Sequence, residues 1–198
     1  MYLSFDCAEK SCGICLMGID KNKNNELNDD IKGGDIKIYM IRVVNIVGDS
    51  VSEEKNKTSK LIYKTRLIKK FINDLDTEIK NMNINIDTVL LEYQMSINYK
   101  SSNLLQQLIY HYCDKYEIHL MGPSLKNKIY FSDELKHSVF IEKYMSNYTA
   151  NKNHTKHNFL FWIRHNNLSN KIKNIKKKNI DDIADAFIQV IAFINYKS

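Results

Sequence analysis

Cysteine is scarce in this 198-residue chain, and its four thiols, Cys7, Cys12, Cys15 and Cys113, form no disulfide framework. A reducing, intracellular setting is therefore expected. Long hydrophobic runs are missing too. No apolar stretch approaches the roughly 20 residues that cross a bilayer, which argues against a membrane span. Strand-like residues begin at Tyr2, with no charged-then-apolar leader ahead of them, so a soluble chain without a signal peptide is expected. Proline occurs once, at Pro123, and arginine three times, at Arg42, Arg66 and Arg164, which leaves 26 Lys among the 29 basic residues. With abundant Asn and Ile, this usage reads as AT-biased coding, a mark of the source and not of the function.

What is present suits a folded domain. The hydrophobic fraction of 43% and aromatic fraction of 11% fit a globular chain. The length suits a single domain, 1–198, with a real core. Charge is uneven. Between Leu135 and Ile180 stand ten Lys or Arg and one acid, Glu142, for a net +9. The whole chain is +6, so the remainder is net −3. That asymmetry suggests a polyanion-binding segment, spanning 132–178, on a near-neutral body. A solvated lysine-rich face would read the same way.

Tyr2–Asp6 alternates as a strand does, with Leu3 and Phe5 on one face and Ser4 and Asp6 on the other. It reads as the central strand of a mixed sheet, ending on a carboxylate where open α/β sheets place their chemistry. Cys12–Ile19 and Ile36–Val47 read as the next two strands. Between them, Asp20–Glu26 imitates the start of an EF-hand loop but has Asn25 in place of the required Gly and Ile31 in place of the bidentate Glu. It reads as a polar hairpin loop. Cys12 and Cys15 sit three apart on a strand and so point to opposite faces, which disfavours a zinc site with His154 and His157.

A polar linker, Gly48–Lys57, leads to an amphipathic helix capped by Thr58 or Ser59, with Leu61, Ile68, Phe71, Ile72, Leu75, Ile79 and Met82 on one face. Asn83–Ile86 closes it, and the crossover lays down a parallel strand, Thr88–Gln94. That strand ends in Glu92, costly in a buried setting unless paired or bound to a cation. A second helix, Ser102–Tyr116, carries two apolar rows: Leu104, Leu108 and Tyr112 in one, Leu105, Ile109 and Tyr116 in the other. The surplus apolar circumference makes it a candidate dimer surface. A short strand, Glu117–Met121, follows. In the basic segment, Tyr144, Tyr148, Phe159, Phe161 and Trp162 interleave with lysines, a mixture suited to nucleic acid, although the last three would also serve as core. The last helix, Asn179–Asn195, shows near-perfect helical periodicity. Asp182 and Asp185 share one face of it, and Asp185 lies too deep for the helix dipole alone to compensate.

Four carboxylates thus converge: Asp6, Glu92, Asp182 and Asp185. Hard divalent cations prefer such oxygens, and two ions about 4 Å apart can clamp the attacking and leaving oxygens of a phosphodiester displacement. The order LSFD, then VLLEYQ after a crossover helix, then KKNIDDIADAFIQ, resembles the Holliday junction resolvases of the RuvC type and is most similar to their poxviral members. The resemblance spans nearly the whole chain, loosest at the early hairpin and at 132–170. It implies a ribonuclease H-like α/β fold, a mixed five-stranded sheet with flanking helices. It also implies a homodimeric, structure-selective endonuclease that cleaves four-way DNA junctions with Mg²⁺ or Mn²⁺, two ions per site. By the same resemblance Asp6, Glu92, Asp182 and Asp185 are the catalytic metal ligands, with Asp181 an alternative to Asp182. Lys152 corresponds to the family's basic residue, and Lys152, Lys156, Lys171, Lys173, Lys176, Lys177 and Lys178 are the expected DNA contacts. No membrane or small-molecule cofactor is implied, and a viral source would place the protein in host cytoplasm or the virion. Two alternatives stay open: another ribonuclease H-like nuclease, acting on RNA–DNA hybrid or on branched or flapped DNA, and a junction-binding protein that does not cut.

Overall fold

The structure, a computed structural model, describes residues 1–8, 10–19, 36–48, 57–93, 102–126, 128–129 and 147–197. The loop at 20–26, most of the linker at 48–57, Gln94, Ser101 and the first part of the basic segment (132–146) lie outside the described residues. Five strands, β1 (Tyr2–Asp6), β2 (Cys12–Ile19), β3 (Ile36–Val44), β4 (Thr88–Glu92) and β5 (Glu117–Met121), form one mixed sheet in the order β3-β2-β1-β4-β5. β1 is central, as the alternation of its apolar residues suggests. It pairs antiparallel with β2 and parallel with β4. The fold is α/β, a mixed five-stranded sheet with flanking helices, as expected. β3 stops at Val44, three residues short of the apolar run that suggested Val47. Ile46 and Val47 bend away and bury themselves in the core beyond the sheet.

One face of the sheet is covered by α1 (Lys57–Asn81) and α2 (Ser102–Tyr112). Leu3, Phe5, Ile14, Leu16, Val89 and Leu91 point to this face, and Ile68, Ile72, Leu75 and Ile79 of α1 pack onto them. Leu61 is 56% exposed and Met82 38%, so the buried stripe of α1 is shorter than its sequence pattern. Asn83, in the left-handed conformation at φ 56°, ends the helix.

The expectation that α2 offers a dimer surface is corrected here. Leu104, Leu105, Leu108 and Tyr112 are buried, and Ile109 and Tyr116 pack against the same core. Both apolar rows are used inside the monomer, in the same core as the sheet face and the buried side of α1. Asp76 of α1 fastens the pair, accepting hydrogen bonds from Tyr112 Oη (2.9 Å) and His111 Nε2 (2.7 Å), with Lys115 Nζ at 3.3 Å.

The other face carries α3 (Pro123–Lys126), α4 (Asn147–His165) and α5 (Ile180–Lys197), the last reached through two 3-10 turns, Ser169–Ile172 and Lys177–Asn179. α5 is the apolar helix its periodicity indicates, burying Ile183, Ala184, Phe187, Ile188 and Ile191 against β1, β2 and α4. α4 contradicts the reading of its aromatics as nucleic-acid contacts: Phe159 and Trp162 are buried core, packed on Phe187. Phe161 stacks on His165 instead. Cys12 and Cys15 enter opposite core clusters, while His154 is buried and contacts the Ile129 carbonyl at 3.0 Å. Among the described residues, no helix is long and apolar enough to cross a membrane.

Candidate active site

Parallel pairing of β1 with β4 runs in register from Tyr2↔Thr88 to Phe5↔Leu91, so Asp6 and Glu92 emerge side by side at the carboxyl ends of neighbouring strands. Period-two alternation turns both towards the face that α5 covers. Asp6 itself pairs with Gly13 of β2. A β-carbon built on Gly13 would lie 2.0 Å from the Asp182 carbonyl oxygen, so only glycine lets the first turn of α5 settle on the sheet there. One turn in, Asp185 then reaches the strand ends. Deeper along the helix, Gln189 donates a hydrogen bond to the buried Ser4 hydroxyl at 3.1 Å, tying α5 to β1.

Carboxylate oxygens of Asp6, Glu92 and Asp185 all lie within 4.8 Å of one another. Asp6 is 7% exposed. Burial first, then the charges of Glu92 and Asp185, push its carboxyl well above the usual range, with Lys126 pulling the other way. Asp182, in the first turn of α5, stands outside this group of three. Asp181 turns aside and pairs with Lys156 at 2.9 Å. Asp181 thus joins α5 to α4, while the Asp182 backbone lies directly over Gly13.

The basic group in the centre is Lys126, which the sequence did not single out. At the end of α3 it is 4% exposed, and its ammonium reaches Glu92 Oε1 at 2.7 Å and Asp185 Oδ1 at 3.1 Å. Burial would lower its pKa, but Asp185 and Glu92 outweigh that and raise it. Lys126 is one of 26 lysines, and nothing in its local sequence sets it apart. Only its place just past β5, beside the end of β4, gives it the role. Lys152 lies on α4, with its side chain outside the described residues. Lys171, Lys173, Lys176, Lys177 and Lys178 are exposed on the turns before α5.

Cys7, which follows Asp6, is fully buried in the α1–α2 core. Burial, then Asp6 and Glu92, push its thiol well above the usual range, so it is a neutral apolar filler rather than a metal ligand. The remaining donor set is all oxygen and closely grouped. It suits a hard divalent cation such as Mg²⁺ or Mn²⁺, which would relieve the repulsion that raises the Asp6 carboxyl.

The acidic centre at the end of the central strand is an arrangement that could hold a divalent ion. The chain has the fold of a poxviral resolvase. It is similar to the solved structure of the fowlpox virus resolvase with its substrate Holliday junction DNA, at TM-score 0.59 and 14% identity over 99% of this chain and 97% of that chain. A second solved structure, of the fowlpox virus Holliday junction resolvase, matches at TM-score 0.47 and 16% identity over 100% of this chain and 99% of that one, too loosely to add weight. No family model and no curated protein matches the sequence.

Proposed function

We propose that the chain is a Holliday junction resolvase, a structure-selective endonuclease that cleaves four-way DNA junctions by divalent-metal-assisted phosphodiester hydrolysis, acting as a homodimer. The observation that carries this reading is the grouping of Asp6, Glu92 and Asp185 within 4.8 Å at the end of the central strand, with the buried Lys126 among them. The fold shared with a resolvase solved on junction DNA supports the choice of substrate.

Asp6, Glu92 and Asp185 would hold the cation, and Asp182, three residues before Asp185 on α5, would be the fourth ligand. A bound divalent ion would supply Lewis-acid stabilisation of the phosphoryl oxygens and an activated water. The protein's own part is positional. β1 and β4 fix two carboxylates on rigid strand ends, and α5, seated by Gly13, brings the third. Lys126 holds Glu92 and Asp185 in place and adds fixed positive charge to a pocket that a phosphate must enter. The basic turns before α5 attract the polyanion that the acids would repel.

Incubating purified protein with a synthetic four-way junction, with and without Mg²⁺ or Mn²⁺, tests the reading. Paired, metal-dependent cuts on opposed strands are expected. Cutting confined to RNA–DNA hybrid or flap DNA, or junction binding without cutting under any metal, would replace it.

A further inference from the structure

Beyond the acidic centre, at the outer edge of the sheet, a groove of about 610 Å³ runs between β3 and the turns that precede α5. Among the described residues its walls carry four lysines, Lys10, Lys171, Lys176 and Lys178, with three asparagines between them and no carboxylate. Arg42 shares its guanidinium with Glu78 of α1 at 2.8 Å. The four lysines are exposed and have no carboxylate partner among the described residues. Lys173 and Lys177 lie on the same turns but do not line the groove. So the lysine-rich run, uniform in sequence, is divided by the fold into a grooved set and an outer set.

Its position relative to the acids is fixed by the sheet. Asp6 pairs with Gly13, and Gly13 pairs with Val43, which lines the groove. Two interstrand spacings separate Asp6 from that wall, about 10 Å. Successive phosphates of one DNA strand stand about 7 Å apart through space, roughly twice the axial rise of about 3.4 Å, so a strand crossing from one place to the other spans one or two nucleotides. Among the described residues the walls hold no aromatic ring on which a base could stack, and lysines act as point charges without the bidentate geometry that reads base edges.

We propose that this groove seats the phosphate backbone of the strand being cut, one or two nucleotides from the scissile phosphate. It holds that strand by charge alone, whatever its sequence. The proposal deepens the nuclease reading and depends on it for the identity of the polyanion. Its test uses the full chain and metal-free binding to a synthetic four-way junction across a salt series. The groove variant combines Lys10→Gln, Lys176→Gln and Lys178→Gln, and the control combines Lys69→Gln and Lys80→Gln on the exposed side of α1. All five lysines are exposed, and matched thermal melts confirm folding. The slope of log K against log salt is expected to fall by up to about 2.7 in the groove variant, at roughly 0.9 per lost contact, and to stay unchanged in the control. An uncharged methylphosphonate linkage placed one or two nucleotides from the cut is expected to weaken wild-type binding and leave the groove variant unaffected. Equal slope losses in both variants, an unchanged groove variant, or no junction binding by the wild type would each overturn the groove. Junction binding with these signatures but no cleavage would leave the groove standing and sink the nuclease reading.

Discussion

Lys126 and the three carboxylates form a balance of charge that each residue feels differently. Asp6→Asn, Glu92→Gln and Asp185→Asn are each expected to cut junction cleavage by more than about 100-fold, beyond what outer-shell changes at metal sites cause. Junction binding should hold or improve, because an acid that repels phosphate is gone; gel-shift and cleavage assays on the same samples check both. Normal turnover in the Asp6 or Glu92 variant would remove these residues from the site. Lys126→Met leaves Glu92 and Asp185 facing one another without their ammonium. Metal-free protein should lose about 3–5 kcal/mol in urea unfolding, the range for a broken buried pair, with much of it restored by Mg²⁺. Asp6 works in the opposite sense. Its carboxyl is raised in the folded chain, so the native state binds the proton more tightly than the unfolded one. Metal-free stability should therefore fall as pH rises through that raised pKa. Asp6 and Glu92 could be read from the sequence because a strand's alternation places its last residue, and Asp185 because the helix dipole does not reach it. Lys126 could not. Its role comes from β5 and β4 being neighbours in space, and no pattern near Pro123 carries that information.

Helix docking sets the rest of the site, and Gly13 is where docking is tightest. Gly13→Ala would drive a methyl carbon to 2.0 Å from the Asp182 carbonyl, against backbone that has no side chain to swing away. A loss of about 1–3 kcal/mol is expected from overpacking. Asp185 would be lifted from Asp6 and Glu92, so Mg²⁺ should stabilise the variant less than it does wild type, a difference that calorimetry in a Mg²⁺ series detects. On the opposite face, the Asp76 clamp joins α1 to α2. Burial disfavours its ionised form, but hydrogen bonds from His111 and Tyr112 and the charge of Lys115 prevail and hold the carboxyl below its usual range. A depressed carboxyl stabilises above the unfolded value of about 3.9 and loses that contribution as pH falls through the folded value. Asp76→Asn should cost about 1 kcal/mol near neutral pH, given how open the group is to solvent. The gap from wild type should close below about pH 4. Of the helices, α1, α2 and α5 were legible in their apolar spacing. α4 was not, because Phe159 to Ile163 form one continuous apolar run that conceals a helical period. The two rows of α2 were visible, but a row's presence does not say what covers it, and here the covering is the chain's own sheet and α1.

At the scale of the molecule, two opposed cuts require two active sites, and a twofold dimer is the simplest arrangement that supplies them. Sedimentation at micromolar concentration is expected to give about twice the 23.3 kDa chain mass. A clean monomer that still makes paired cuts would end that expectation. With Leu108 buried, a charge placed there would unfold the monomer and report nothing on assembly. The acidic centre also gathers its members from the beginning, middle and end of the sequence, and this bears on how the protein is made. A ribosome adding about 5–20 residues per second places Glu92 beside Asp6 and then needs on the order of ten seconds to reach Asp185. Throughout that interval the growing chain holds two acids of the centre and lacks the helix that completes it. A chain broken off by premature termination would hold the same incomplete pair. The three-acid centre would therefore form as a step, when α5 is made, and any fragment that stops short of that helix would lack it.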